Sequence, residues 1–404
     1  MDFSDLLLTT VRKMANGEMP PLPIRWLLVD EAQDMDEIQM EWILLHGRAG
    51  IEVTLVGDDD QSLYAFRHAL GYEGLQEVTF ALSASETTLP INYRCAPNIL
   101  AHAAKLIAHN KNRAPKKISA HKETLGEISV LRLPDRWAEV DQIGDTIKKS
   151  GDDQEWAILA RTNLILDTAE VALTDMGVPY RRTGGKSIWE HSVGSVFAGL
   201  MRSAVDDSWT GIANALSFCG IHAEWVNSHS RRTTGGCTGR LEIAMEQVQE
   251  EGPRKTVVRL RMGLASWRDQ IAKGRPALVV HGIAGFLADY CKPNQLNMLR
   301  KLEATVARMP GTLAQRLSVL GRNNQTQQQP TIQIMTLHAS KGLEFDNVWI
   351  MGCEDGNLPH TDSTEEDERR LLYVGMTRAR TRLILSSAIE DGLESRFLEE
   401  AGLG

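Results

Sequence analysis

Short, unbroken apolar runs bounded by turn residues punctuate this chain at 26–29, 53–56, 128–133, 156–160, 332–337, 348–351 and 383–385. A continuous apolar run of four to eight residues predicts a strand buried on both faces, the pattern of a parallel sheet covered by helices. Between the runs lie stretches of helical periodicity at 36–45, 138–149 and 365–380. Strand and helix in alternation predict an α/β fold.

The middle of the chain reads differently. From about 192 to 324 the periodicity is helical and strand patterns are scarce. A Gly/Thr/Arg-rich interruption at 231–240 predicts a loop, and the polar stretch 321–329, ending at Pro330, predicts a linker. No repeat of fixed period is present. The economical organisation is an all-helical insertion splitting one α/β domain, with part of another α/β domain ahead of it.

Composition narrows the classes. The 404 residues correspond to two or three domains. With 42% hydrophobic and 24% charged residues, the chain is an ordinary globular one. No apolar run reaches the ~18 residues of a bilayer crossing. The start, Met1-Asp2-Phe3-Ser4-Asp5, carries no basic leader before an apolar stretch, so no secretory signal is expected. The five cysteines, Cys95, Cys219, Cys237, Cys291 and Cys353, are widely spaced with no Cys-x-x-Cys. Reduced thiols in a cytoplasmic protein are therefore expected, rather than disulfides or structural zinc. A net charge of -9 argues against a general polyanion binder. One local basic stretch, Lys105, Lys111, Arg113, Lys116, Lys117 and Lys122, is either a phosphate-binding groove or a solvated surface.

The candidate chemistry begins where the first two runs end. Leu27-Leu28-Val29 leads into Asp30-Glu31-Ala32-Gln33-Asp34, and Val53-Thr54-Leu55-Val56 into Gly57-Asp58-Asp59-Asp60-Gln61. Ligands of open α/β sheets bind beyond the carboxyl ends of the strands. An Asp there can hold magnesium, and a Glu can orient or deprotonate water. Taken singly, each acidic pair is equally an acidic loop; two such strand ends within thirty residues of sequence suggest a shared metal and phosphate edge. Tyr64 and Phe66, beside Arg67, offer ring faces for stacked bases, or form a buried aromatic pair.

In order along the chain, Asp30 to Asp34, Gly57 to Tyr64, Leu89-Pro90-Ile91-Asn92-Tyr93-Arg94, Thr336 to Phe345 and Glu368 to Ala379 resemble successive motifs of the UvrD/Rep/PcrA-type superfamily 1 DNA helicases. The resemblance implies an α/β fold of P-loop NTPase (RecA-like) parallel sheets, one partial and one complete, with an all-helical insertion in the second. The implied segments are 1–25, a remnant of the first accessory helical domain; 26–88, a partial first motor domain; 89–191 and 326–404, the two parts of the second motor domain; and 192–325, the inserted accessory domain.

The same resemblance implies ATP and Mg²⁺ as cofactors, single-stranded DNA and DNA junctions as partners, and ATP-dependent 3′-to-5′ translocation. Asp30 would ligate magnesium and Glu31 would be the general base. Gln61 would contact the γ-phosphate and its water. Tyr93 would stack on adenine, Glu344 would bind the ribose, and Arg94 and Arg378 would reach the γ-phosphate. Arg94 and Arg378 are alternatively partners of carboxylates such as those at 362–368. Tyr64, Phe66, Arg67, His338 and Ser340 would contact DNA. Lys341 is either a phosphate contact or part of its loop.

The sequence lacks the P-loop pattern Gly-x-x-x-x-Gly-Lys-Ser/Thr. In Gly185-Lys186-Ser187 the first glycine position is occupied by Tyr180. The resemblance implies that Met1 lies within the first accessory domain, after the P-loop, the adenine-binding glutamine motif and the first DNA-contact motif. It also implies that the end of the chain, shortly after Arg378, leaves no room for a nuclease domain of the RecB/AddA type. A missing P-loop strand would leave an apolar strand edge open beside 26–29. Three explanations follow: one subunit of a split motor whose P-loop lies on a second polypeptide, a truncated helicase, or a non-catalytic DNA-binding or regulatory derivative. Duplex contact through Arg231-Arg232 and Gly235-Gly236 competes with a plain solvated loop.

Overall fold

The computed structural model describes residues 3–151, 154–190, 192–222, 236–247, 250–322 and 331–404. In chain order the first elements are α1 (Phe3–Ala15), β1 (Trp26–Val29), α2 (Glu37–Arg48), β2 (Glu52–Leu55), α3 (Gly71–Leu82), β3 (Ile91–Asn92), α4 (Pro97–Ile107) and β4 (Ser119–Ala120). There follow β5 (Glu127–Leu133), α5 (Arg136–Ser150), β6 (Trp156–Ala160), α6 (Asn163–Asp175), β7 (Arg181–Thr183), α7 (Ser192–Asp206) and α8 (Trp209–Phe218). The remainder are α9 (Gly236–Gln247), α10 (Glu251–Ala272), α11 (Pro276–Ala288), α12 (Pro293–Arg308), α13 (Leu313–Arg322), β8 (Ile332–Thr336), β9 (Phe345–Ile350), α14 (Glu365–Met376), β10 (Ala379–Ala388) and α15 (Arg396–Glu400). They form two compact units: Met1–Glu139 with Gln154–Thr162 and Thr336–Gly404, and Val140–Asp153 with Asn163–Met335.

In the first unit, β1 and β2 run parallel, with Trp26 opposite Glu52 and Val29 opposite Leu55. Alternation decides what each face does. Leu27, Val29, Val53 and Leu55 turn toward Met35, Met40, Ile43, Leu44 and Val78, the core beneath α2 and α3. Helix α2 starts where it does because Asp36 accepts the Gln39 N–H at 2.8 Å while the Gln39 side chain accepts the Asp36 N–H at 3.0 Å. The other face is open: Leu28 is 74% exposed, Trp26 57% and Val56 54%. The expectation of burial on both faces therefore fails for β1 and β2, because among the described residues nothing covers that side.

It fails for β5 too, none of whose residues is fully buried, and holds for β6, β9 and the second half of β10. Strands β5, β10, β9 and β6 lie side by side in that order, all parallel, and every residue of β6 is buried. Helix α14 packs against α4. It ends at Met376, short of the expected Arg380. The Thr377 hydroxyl folds back onto the Tyr373 and Val374 carbonyls, and the chain passes into β10, leaving Arg378 at the junction.

The second unit is helical apart from the short parallel pair β7 and β8. Between 192 and 322 its described residues form helices and turns, as the periodicity predicts. Gly211 lets α8 come close to α7, since a Cβ there would run into the Gly199 carbonyl. Of the loop expected at 231–240, residues 236–240 instead open helix α9, while 231–235 and the 323–329 part of the linker lie outside the described residues. Among the described residues no helix is long and apolar enough to cross a membrane. All five cysteines are free thiols.

Candidate nucleotide and DNA site

Beyond Val29 the chain turns abruptly through Asp30 and Glu31. Glu31 sits at φ 52°, ψ 37°, in the left-handed region that a residue with a Cβ enters only when held there. Its N–H donates to Asp30 Oδ1 at 2.8 Å, and the next N–H, of Ala32, donates to the Val56 carbonyl at 3.0 Å. Fully buried Gln33 joins the two strand ends. Its Nε2 donates to Glu31 Oε2 at 2.6 Å, and its Oε1 accepts the Asp58 N–H at 2.9 Å. Gly57 permits this approach, because a Cβ there would sit 2.7 Å from Gln33 Oε1. A pocket of about 350 Å³ opens beside Asp30 and Glu31, with Leu7 and Trp42 among its walls.

Past β2, three successive aspartates meet two cations. Lys116 contacts Asp58, lies 2.6 Å from Asp59 and 3.0 Å from Asp60. Arg113 grips Asp60 with two parallel hydrogen bonds, of 2.8 and 2.7 Å. Burial pushes the Asp58 carboxyl up, but Lys116 and Gln61 outweigh it and hold the group below the usual carboxylate range. Burial likewise opposes the charge on Lys116, and the aspartates more than restore it. The basic stretch considered as an open phosphate groove thus loses Arg113 and Lys116 to internal carboxylates, while Lys105, Lys111 and Lys117 remain exposed.

Gln61 is the bridge. Its Nε2 donates to Asp58 Oδ2 at 2.7 Å, and its Oε1 accepts from Arg378 Nη2 at 3.2 Å. Arg378 is 1% exposed and also donates to the Val374 and Leu343 carbonyls, at 2.9 and 3.1 Å. Burial, with a smaller push from Arg94, lowers its pKa to about 10, which leaves it charged at neutral pH. Arg94 pairs with Glu344 at 2.7 Å, and Glu344 also takes Arg380 at 2.8 Å. Those hydrogen bonds, Arg380's and then Arg94's, bring the Glu344 carboxyl down to about 2. Arg94 therefore does have a carboxylate partner, though it is Glu344 rather than one at 362–368; Arg378 donates instead to an amide, a hydroxyl and carbonyls. Tyr93 is 65% exposed, its ring 4.8 Å from that of His121, a neighbour that sequence reasoning did not single out.

The expected DNA-contact residues are only partly together. Tyr64 and Phe66 meet edge to face at 5.9 Å, and Phe66 meets His338 at 6.1 Å. The exposed Arg67 guanidinium lies over both rings, at 5.6 and 5.5 Å. Burial, then nearby Arg161, lowers the His338 pKa, so it presents a neutral ring rather than a cation. Ser340 is fully buried, its hydroxyl donating to the Leu337 carbonyl at 2.7 Å. In this structure it secures the turn and faces no groove.

Magnesium takes one or two carboxylates plus phosphate oxygens and waters. Exposed Asp30 fits that role, and among the described residues no cluster of three or more His, Cys, Asp or Glu offers a protein-only metal cage. The Gly185-Lys186-Ser187 run is no phosphate cradle. The Ser187 hydroxyl and the Ile188 N–H both donate to the buried Glu170 carboxylate, which Arg182 also holds at 2.7 Å. An anion of the protein already fills the place a phosphate would need.

Carboxylates at parallel strand ends, an amide bridge and a buried guanidinium sit on a fold of definite class: an α/β protein with RecA-like parallel sheets. The chain belongs to the UvrD/Rep-type DNA helicase family. Residues 87–193 and 294–390, just over half of it, match the UvrD-like helicase C-terminal domain, and residues 1–75 match the UvrD/REP helicase N-terminal domain. It is 28% identical to DNA helicase II of Haemophilus influenzae, over 99% of this chain and 62% of that protein. It is 29% identical to ATP-dependent DNA helicase Rep of Salmonella typhimurium, over 95% and 63%. The chain thus spans less than two thirds of the length of these relatives. A Lactobacillus structure described as the C-terminal domain of a possible DNA helicase aligns over 77% of this chain and 94% of that one, with 12% identity and a TM-score of 0.32.

Proposed function

We propose that this chain is the larger part of an ATP-dependent 3′-to-5′ DNA helicase or translocase motor whose P-loop is supplied by another segment, of a longer chain or of a second polypeptide. The observation that carries the reading is Gln61, hydrogen-bonded at once to Asp58 at the end of β2 and to buried Arg378. It joins the acidic end of β2 to a buried guanidinium, the kind of group that stabilises charge in phosphoryl transfer.

In this reading Asp30 would hold the magnesium ion that accompanies ATP, which would offset the charge of the phosphates. Glu31 accepts the proton of the attacking water. Gln61 orients that water against the γ-phosphate. Arg378 and Arg94 stabilise charge on the transferring group, a task for which a guanidinium is worth ~10³–10⁵ in rate. Arg94 must leave Glu344, which then turns to the ribose; Tyr93 stacks on adenine. Tyr64, Phe66, Arg67 and His338 hold single-stranded DNA, and nucleotide-driven movement within the motor advances it.

The test is ATP hydrolysis with and without single-stranded DNA, measured on this chain together with a segment bearing the P-loop. DNA-stimulated turnover is expected, with Glu31→Gln abolishing turnover while nucleotide binding persists. Undiminished turnover in Glu31→Gln overturns the assignment. Salt-sensitive DNA binding with no turnover under any complementation leaves the non-catalytic, DNA-binding alternative in its place.

A further inference from the structure

One side chain touches both halves of the proposed machinery. Lys341, 9% exposed, follows the turn that contains His338 and Ser340. Its Nζ lies 3.1 Å from Glu31 Oε2 and contacts Asp34. The same Nζ lies 5.4 Å from the centre of the Tyr64 ring. Three residues earlier in the same segment, His338 packs edge-on against Phe66. Residues 338–341 therefore rest on both rings and, through Lys341, on a carboxylate that lines the pocket.

We propose that Lys341 is a positioning residue that couples occupancy of the Tyr64–Phe66 surface to the freedom of Glu31. The inference rests on the assignment of that surface to single-stranded DNA. A base stacked on Tyr64 and the Lys341 ammonium compete for the same ring. A strand on that ring also brings phosphates within reach of a long, flexible ammonium side chain. When Lys341 moves to a phosphate, Glu31 Oε2 keeps only the Gln33 amide and Asp34 loses its cation. Without DNA, Lys341 stays on the two carboxylates and Glu31 is held in an ion pair. The carboxylate and the strand therefore compete for one cation, so DNA binding must work against the Glu31/Asp34 hold, and weakening that hold must strengthen DNA binding.

The experiment uses the chain itself and a fluorescein-labelled oligothymidylate, with binding followed by anisotropy over a range of salt concentrations. In the double variant Glu31→Gln/Asp34→Asn, Lys341 is free for phosphate. Affinity should rise about three- to tenfold, and the salt dependence should steepen by about 0.7 in log–log slope, one more phosphate contact on a single strand. Adding Lys341→Met should cancel both changes, and Lys341→Arg in its place should retain them. An affinity gain that survives Lys341→Met is a general charge effect and overturns the proposal. An unchanged slope in the double variant overturns it too, and decides the matter even where the methionine variant does not fold. Failure of every variant to bind the oligonucleotide removes the DNA reading as well; binding that ignores these substitutions removes only the coupling.

Discussion

Arg378 Nη2 donates to Gln61 Oε1 at 3.2 Å, joining residues 317 positions apart. The guanidinium is buried and its other donors meet the Val374 and Leu343 carbonyls and the Thr377 hydroxyl. Arg378→Ala should therefore cost roughly 2–4 kcal/mol in urea unfolding, because buried acceptors lose charged donors. Arg378→Lys should recover only part of it, since an ammonium cannot reproduce the guanidinium's fork.

Lys116 is the common partner of Asp58, Asp59 and Asp60. Lys116→Met takes from Asp58 and the buried Asp59 and Asp60 the cation they share, leaving Arg113 on Asp60. A loss of about 3 kcal/mol is expected from chemical denaturation. Asp58→Asn in that background should regain part of the loss, and a double-mutant cycle measures the coupling.

Glu344 gives a pH signature. Its folded-state pKa, about 2, lies below the ordinary 4.5. The unfolded chain binds the proton more readily, so the contribution is present above the ordinary value and fades as pH falls toward 2. Wild type should exceed Glu344→Gln in melting temperature near pH 6, with the gap closing in acid. The group is partly exposed, so the effect is under about 1 kcal/mol.

Tyr64→Ala should weaken single-stranded DNA binding by about 1–3 kcal/mol, whatever the base sequence, with little change in salt slope. Arg67→Ala should act the other way, flattening the slope by about 0.7. Anisotropy titrations on oligothymidylate and on mixed-sequence strands check both.

The open face of β1 makes a solubility prediction. Trp26 and Leu28 stand largely in solvent on a two-stranded sheet. Leu28→Lys should reduce binding of a hydrophobic dye and concentration-dependent association in light scattering, without lowering the melting temperature.

The positions of seven of the ten strands among the described residues are legible in the runs of apolar residues, because burial on a sheet selects them locally. The exceptions are instructive. Strands β3, β4 and β7 have only two or three residues and leave no run to read. The apolar period carries helix α14 on to Arg380, whereas in space the Thr377 hydroxyl closes it after Met376. Gln33 carried no signal beyond its place among acids, yet it is the buried hinge of both strand ends.

From sequence alone come the α/β alternation, the helical middle, the order of the motifs, the two acidic strand ends and the lack of a P-loop pattern. These are properties of neighbouring residues, imposed by hydrogen-bond geometry and burial over one turn or one strand. Tertiary structure alone decided the partner of each charge: Lys116 among the aspartates, Arg94 on Glu344, Lys341 on Glu31, Ser340 turned inward. Many of these partners lie far apart in the chain, and a charge takes whichever opposite charge the packed core brings near it as both leave water.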